Sequence, residues 1–188
     1  MTVTVASARA DGAVRLTVIP MTGPLAGEAA RALAGELTVL AAEAFAGPPW
    51  NETPAHARQL AGQILADAAH PAFTLALAFT GHGPALAGFG YGIPRWPRGI
   101  TGTGLPPGGT EPFEFCELAV LPAARGWGAG RALHDAVLAA SGPRQRWLVT
   151  HPAASPAVSL YRASGWHARR MFPSRADGST RLLMTRHR

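Results

Sequence analysis

Residues 118–131, LAVLPAARGWGAGR, carry the pattern that decides the fold of this chain. The apolar residues predict the end of a buried strand, Pro122 closes it, and three glycines in alternate positions lead into a helix. Glycines let the backbone approach an anion closely, and the free N–H groups at a helix start lie at the positive end of the helix dipole. Arg125 and Arg131 add positive charge on both sides of the glycines. The segment therefore predicts a cradle for a phosphate group.

The spacing of these glycines excludes two common nucleotide-binding loops. A P-loop needs Gly-Lys-Ser or Gly-Lys-Thr after the glycines, and none follows here. A dinucleotide-binding loop needs G-x-G-x-x-G and an acidic residue about 20 positions further on, at the end of a second strand, and neither is present. The remaining alternative is an ordinary glycine-rich turn, which the neighbouring strand, proline and arginines disfavour.

Composition limits the class of protein further. The chain has 188 residues, of which 47% are hydrophobic, enough for one domain with its own core. Its one cysteine, Cys116, excludes an intrachain disulfide and a cysteine-based zinc cluster, and we expect it to be a small core residue. All 17 basic residues are arginines, and they are scattered along the chain. The net charge of +6 therefore suits electrostatic attraction of a polyanionic cofactor better than a nucleic-acid-binding surface.

The same composition gives an expectation about location. No apolar run approaches the ~20 residues that a membrane span needs. The first residues also lack the basic and apolar regions of a secretory signal. We therefore expect a cytoplasmic protein that does not enter the membrane and is a monomer or a homodimer.

Periodicity and turn residues predict an alternation of strands and helices along the chain. The predicted strands are 13–19, 72–80, 85–93, 113–121, 146–150, 167–172 and 180–186, and the predicted helices are 25–45, 54–69, 130–141 and 155–164. Thr53 is expected to cap the second helix, with Pro54 at its first position. Gly88, Gly90 and Gly92 indicate a bulge or a close approach in their strand. This order predicts a mixed α/β fold.

Segment 118–131 resembles the acetyl-CoA signature of the GNAT superfamily of N-acetyltransferases. That signature reads Gln/Arg-x-x-Gly-x-Gly/Ala after an apolar strand, and Arg125, Gly128 and Gly130 occupy its fixed positions. A second stretch, AVSLYRASGW at 157–166, is similar to the family's A-x-x-L-Y-x-x-x-G-F. The resemblance covers nearly the whole chain. It implies a single acetyltransferase domain over residues 1–188, with a mixed, mostly antiparallel sheet that is flanked by helices and splayed at the cofactor strand.

The resemblance also implies acetyl-CoA as co-substrate and no metal. The pantetheine arm would pair with main-chain groups of 118–120 in the splayed gap, and the pyrophosphate would lie on the amides of 126–131. The family often has Asn where this chain has Ala154, and Ser155 could cap the helix there instead. The residues expected to contact the cofactor are Leu118, Ala119, Val120, Arg125, Gly126, Trp127, Gly128, Ala129, Gly130, Arg131 and Ser155.

Catalysis needs a base, because an alkyl ammonium has a pKa near ~10 and is mostly not nucleophilic at neutral pH. Glu117 lies next to the acyl-binding positions, where several family members carry an acidic base, and Glu114 is the alternative. The two are three positions apart, so on a regular strand they would face opposite sides. The resemblance implies that Tyr161 protonates the departing CoA thiolate. The structural alternatives are a salt-bridged strand carboxylate for either Glu and a half-buried core aromatic for Tyr161.

Two loops are expected to contact the acceptor. Loop 47–53 offers Trp50 and Glu52, whose carboxylate would suit a cationic amine, and the long loop 95–112 offers Trp96 near its start. The seven histidines show no metal spacing and are expected mostly at the surface or at caps, although His151 is an alternative proton carrier.

The sequence thus predicts N-acetylation of a small-molecule or peptide amine. It leaves open a longer acyl-CoA as donor. It also leaves open a non-catalytic acyl-CoA-binding or nucleic-acid-binding protein, which the presence of both Glu117 and Tyr161 disfavours.

Overall fold

The computed structural model describes residues 3–9, 12–81, 85–100, 102–105, 109–174 and 177–187. Its strands are β1 Val3–Arg9, β2 Gly12–Thr22, β3 Thr74–Thr80, β4 Leu86–Pro94, β5 Phe113–Val120, β6 Arg146–Thr150, β7 His167–Pro173 and β8 Thr180–Arg186. Its α-helices are α1 Gly23–Ala32, α2 Ala34–Phe45, α3 Pro54–Asp67, α4 Ala129–Ala140 and α5 Ser155–Ala163. The predicted α/β fold is confirmed.

The described strands form one sheet in the order β1-β2-β3-β4-β5-β6-β8-β7. Neighbouring strands are antiparallel except β5 and β6, which are parallel. That parallel pair is short, because only Phe113 and Glu114 lie opposite residues of β6, namely Arg146 and Trp147. From Phe115 onward the two strands diverge, so the sheet is splayed at β5, as expected.

Helices cover both faces of this sheet. On one face α4 and α5 pack through residues such as Leu133 and Val158 against side chains of β2, β3 and β5. On the other face α1, α2 and α3 pack through residues such as Leu37 and Ile64 against β3 and β4. The gap between β5 and β6 therefore opens between two helical layers.

Helix 25–45, predicted as continuous, is divided at Leu33, whose φ and ψ are −103° and 16°. The Thr38 hydroxyl donates a 2.7 Å hydrogen bond to the Ala34 carbonyl, an arrangement that bends helices. Strand β1 was not predicted, and it pairs with β2 along its whole length. The cap on α3 is confirmed: Thr53 Oγ1 accepts from the His56 amide at 3.5 Å.

The glycines of β4 mark both a close approach and a bulge. A Cβ on Gly88 would lie 2.7 Å from the Ala119 carbonyl oxygen, so no larger residue fits there without movement. The register between β4 and β5 shifts between Tyr91 and Gly92, and Cys116 is left without a residue opposite it. This bulge reverses the alternation of side chains along β5, which decides where the acidic residues of that strand point.

Candidate active site

The residues predicted to form the cradle lie at the start of α4. Gly128 caps the helix in the left-handed conformation, with φ 82° and ψ 1°, and Gly126 also has a positive φ of 78°. No side chain caps this helix, and its first helical bond is donated by the Ala132 amide to the Gly128 carbonyl. The amides of residues 129–131 therefore have no helical acceptor. Such a set of free N–H groups suits a pyrophosphate.

The arginines beside this loop differ in what they contact. Arg125 Nη2 donates to the Ala44 carbonyl at 2.7 Å, and its Nε donates to the Val120 carbonyl at 3.3 Å. Arg125 thus ties the loop to the ends of α2 and β5, whereas Arg131 is exposed beside the cradle. The indole Nε1 of Trp127 is buried without a hydrogen-bond partner among the described residues.

The edge of β5 that faces the gap offers main-chain groups. Leu118, Ala119 and Val120 lie opposite glycines and Phe89 of β4, but β6 does not pair with them on the other side. Alternate N–H and C=O groups of this edge therefore point into the gap. Together with the amides of the α4 start, they fit a ligand with a long amide-bearing arm and a pyrophosphate.

Glu117 lies at this gap, immediately before that edge. It is partly buried, and its Oε1 accepts a 3.2 Å hydrogen bond from the Leu118 amide. The pKa of Glu117 is raised to about 8, chiefly by burial; the Leu118 hydrogen bond opposes the rise, and the negative charge of Glu52 adds to it. A carboxyl with this pKa exchanges protons near neutral pH, as a base for ammonium groups must.

Glu114 faces the same side as Glu117, so the expectation of opposite faces is wrong. Glu114 lies opposite Ile93 and Glu117 opposite Tyr91, and both partners are buried on the α1–α3 face. The unpaired Cys116 between them is the reason, since a bulge adds one residue and reverses the alternation. Glu114 is also already paired, with Arg95 Nε at 2.5 Å. Burial raises the pKa of Glu114, while Arg95 opposes the rise.

Tyr161 lies on the opposite face, in an aromatic cluster. Its ring is 6.2 Å from Phe115 and 6.0 Å from both His134 and Trp166. No described group hydrogen-bonds to its hydroxyl. Burial raises the pKa of Tyr161, and the charge of Glu117 adds to the rise. The phenol therefore stays protonated and can act as a proton donor.

His134 is fully buried in this cluster, in contrast to the surface or capping role expected for most histidines. Its Nε2 accepts from Trp166 Nε1 at 2.9 Å, and its Nδ1 lies 2.7 Å from Asp135. Burial lowers the pKa of His134, so the ring is a neutral acceptor that orients the tryptophan. The sequence did carry a signal, because residue 134 shares a helix face with the apolar residues 133 and 137.

The sequence offered Ser155 as a possible cap for α5, but Ser155 does not cap this helix. Ala154 is the N-cap residue, no side chain caps the helix, and the Ser155 hydroxyl contacts the Ala153 carbonyl at 3.5 Å. Its side chain lines a cavity of about 430 Å³ between α5 and β7. The α4 start lies against Leu160 instead, which is on another side of α5. The contact of Ser155 with the cofactor stays a prediction.

Of the acceptor residues, the structure brings Trp50 and Glu52 to the gap. The ring of Trp50 is 5.7 Å from that of His151, which directly follows β6, and Arg181 of β8 lies 5.7 Å over the same ring. Glu52 follows in the same loop, and its charge acts on Glu117. Loop 47–53 thus crosses the open end of the gap between β5 and β6.

The structure does not place Trp96 beside Trp50 and Glu52, and its contact with the acceptor stays a prediction. Trp96 lines a separate cavity of about 400 Å³ with Pro112, Arg144 and His187. Pro112, which lines that cavity, immediately precedes β5 and lies five positions before Glu117, or roughly 16 Å along an extended strand. The structure places Trp96 at the closed end of the gap.

The fold and the cradle define an acyl-CoA-dependent transferase, and a family comparison agrees. The model described as the Acetyltransferase (GNAT) family matches residues 37–166. The chain therefore belongs to the GNAT family of acetyltransferases, enzymes that use acetyl-CoA.

Solved structures show the same fold with different acceptors. The crystal structure of histone acetyltransferase HPA2 and related acetyltransferase from Corynebacterium glutamicum is 23% identical, with a TM-score of 0.63 and coverage of 90% of this chain and 94% of that one. The ribosomal-protein-S18-alanine N-acetyltransferase from Escherichia coli is 13% identical, with a TM-score of 0.57 and coverage of 91% and 92%. A phosphinothricin acetyltransferase from Sinorhizobium meliloti, in complex with AcCoA, is 17% identical, with a TM-score of 0.54 and coverage of 90% and 87%. Likeness at these identities shows the fold alone.

A comparison with curated protein sequences gives no match. Within the described residues, no group of three or more His, Cys, Asp or Glu side chains could hold a metal ion. Nor does the described part of the chain contain a helix long and apolar enough to cross a bilayer.

Proposed function

We propose that this acetyltransferase moves the acetyl group of acetyl-CoA to a primary amine of a small molecule or peptide, by direct attack of the amine on the thioester. The observation that carries the proposal is the position of Glu117, a partly buried carboxyl at the gap beside the free edge of β5. Glu114 is the weaker candidate for the base because Arg95 already holds it.

Acetyl-CoA supplies an acetyl group activated as a thioester. The amides of residues 126–131 would hold its pyrophosphate, and the main chain of residues 118–120 would pair with its pantetheine arm. Both assignments rest on the uncapped α4 start and on the unpaired edge of β5. The contacts of Ser155 with the cofactor and of Trp96 with the acceptor stay predictions.

Each proton in the proposed reaction has a residue to carry it. Glu117 accepts a proton from the bound ammonium, directly or through one water, and the free amine then forms the new C–N bond. A main-chain N–H of β5 stabilises the developing oxyanion. Tyr161 donates a proton to the sulfur as the C–S bond breaks. The attacking nitrogen loses its second proton to water, which passes it on to restore the phenol, and Glu117 releases its own proton to solvent.

Glu117→Gln is expected to lower turnover by roughly 10²-fold or more, the usual range for the loss of a general base. The carboxyl is active only when deprotonated, so the wild-type rate should rise with pH through the pKa of about 8. The defect of the variant should shrink at higher pH as the free amine becomes abundant. Thiol release from acetyl-CoA, measured over a panel of primary amines, checks both expectations.

Glu114→Gln is the matched comparison for this experiment. If that variant shows the pH-dependent loss and Glu117→Gln does not, the base is assigned to the wrong residue. Failure of every amine in the panel to release thiol would contradict amine acetylation itself.

We also propose that residues 1–188 form a single domain, because one sheet contains the described strands from β1 to β8. The cytoplasmic location and the monomeric or homodimeric state stay predictions.

A further inference from the structure

Acidic side chains border the open end of the gap, although the chain as a whole is positive. Glu117 lies on β5, Glu52 lies in the loop across the gap, and Asp177 lies in the turn before β8. The charges of His56 and, to a smaller extent, Arg181 act on Glu52. Arg181 is already engaged, with Asp177 at 3.1 Å and with the ring of Trp50 at 5.7 Å.

Glu52 has no direct partner in this group. No described side chain or main-chain group donates a hydrogen bond to its carboxylate, and no described cation lies within ion-pair distance of it. The neighbouring His56 uses its Nδ1 to accept from the Thr53 amide at 3.3 Å, as part of the α3 cap. Burial raises the pKa of Glu52, and the charges of His56 and Arg181 oppose that rise.

The backbone that carries Glu52 is held firmly. The Glu52 amide donates to the Phe45 carbonyl at 2.9 Å, and the Asn51 amide donates to the Gly47 carbonyl at 3.0 Å. Trp50 packs edge-on against Phe45 at 5.7 Å. The Glu52 side chain is half-buried, so water still solvates its carboxylate in the free enzyme. An acceptor that fills the gap would displace this water, and the carboxylate would then need a cation or a hydrogen-bond donor from the ligand. Glu114 shows the contrast, since the protein supplies Arg95 to that carboxylate.

We propose that the acceptor carries a second positive charge, and that Glu52 binds this charge while Glu117 takes the proton of the reacting ammonium. The inference rests on the proposed function. The substrate class is a diamine or another amine with a cationic group a few bonds from the reacting nitrogen. Glu52 determines specificity and takes no part in bond formation, so its removal should affect only acceptors that carry the second charge.

The test compares diaminobutane with pentylamine, which has the same length but a methyl group in place of the second ammonium. Wild type should show a kcat/KM for diaminobutane at least about tenfold above that for pentylamine, as expected for one charged hydrogen bond. Glu52→Gln should remove this preference by lowering kcat/KM for diaminobutane about tenfold or more, while pentylamine stays within about twofold. The control is Glu43→Gln, an exposed glutamate on α2, which should leave both values unchanged.

Binding gives a second readout that does not need turnover. In the presence of CoA, calorimetry should show that diaminobutane binds Glu52→Gln at least about tenfold more weakly than wild type. Equal treatment of the two amines by wild type, or an equal loss for both in Glu52→Gln, would overturn the proposal and leave amine acetylation standing. Absence of thiol release with both amines, together with normal diaminobutane binding that depends on Glu52, would instead contradict the proposed function.

Discussion

At the scale of single residues, the position of Glu117 depends on one extra residue in β5. Without the bulge at Cys116, Glu114 and Glu117 would face opposite helical layers; with it, both lie on the α1–α3 face. Arg95 holds Glu114, and Glu117 stays at the gap with a raised pKa. The two carboxyls share a strand and a face but differ in their partners. Glu114, paired with Arg95, has a structural role, whereas Glu117, without a cation, is the proposed base.

Tyr161 gives the residue-scale prediction. Tyr161→Phe removes only a hydroxyl that no described group binds, so α5 and its aromatic cluster should keep their packing. If the hydroxyl protonates the leaving sulfur, kcat should fall while acetyl-CoA affinity changes little, because the interaction strengthens only in the transition state. Steady-state kinetics at saturating acceptor measures both parameters.

Two other results would contradict this role for Tyr161. A raised KM for acetyl-CoA with unchanged kcat would mean that the hydroxyl binds the sulfur in the ground state. Wild-type values of both kcat and the KM for acetyl-CoA would mean that Tyr161 contributes only to packing.

At the scale of elements, the α4 start can be tested through Gly130. A Cβ there would lie 3.8 Å from Leu160 Cδ2 and 3.9 Å from Val120 Cγ2, so a side chain can begin at this position without disturbing the fold. Gly130→Asp should abolish acetyl-CoA binding, because a negative charge would enter the cradle for the pyrophosphate. Isothermal titration calorimetry on the folded variant measures the effect.

Gly130→Asn is the matched control, since it adds the same bulk without the charge and should bind more tightly than Gly130→Asp. The same substitution at Gly128 is less informative, because its φ of 82° would add backbone strain. If a folded Gly130→Asp variant binds acetyl-CoA with unchanged affinity, the assignment of the α4 start as the pyrophosphate site is wrong.

Local pattern predicted most of these elements, and the failures have physical causes. The segment 118–131 contains a strand end, glycines and a helix start in sequence, so these elements could be predicted directly. The faces of Glu114 and Glu117 could not, because the bulge depends on how β5 pairs with β4 across the loop. The position of Trp96 could not be predicted either, because a loop's sequence does not tell which end of the neighbouring strand it lies against. The site assignments themselves remain to be tested.

At the scale of the whole molecule, Arg95 holds the two parts of the sheet together at the closed end of the gap. Its guanidinium bonds Glu114 of β5 and, at 3.2 Å, Asp67 of α3. Its carbonyl accepts a 2.8 Å hydrogen bond from Trp147 Nε1 of β6. Glu114 and Trp147 also form the last residue pair between β5 and β6, so Arg95 lies at the point where the strands begin to diverge.

Arg95→Met should lower the free energy of unfolding by about 2–4 kcal/mol, because it leaves two buried carboxylates without their cation. The partial exposure of Arg95 puts this value below that of a fully buried pair. Urea unfolding measures it, and Arg98→Met, at an exposed position of the same loop, should stay within about 0.5 kcal/mol of wild type. A change in Arg95→Met no larger than that of the control would show that the ion pairs add little to stability.

The short pairing of β5 with β6 has a mechanical consequence. The sheet consists of two blocks, β1–β5 and β6–β8, whose main chains are joined at only two residue pairs. A donor whose amide arm pairs with the free edge of β5 would occupy the place of a missing strand. The bound ligand would then limit the motion of the two blocks relative to each other. After each turnover, the release of CoA would restore that motion.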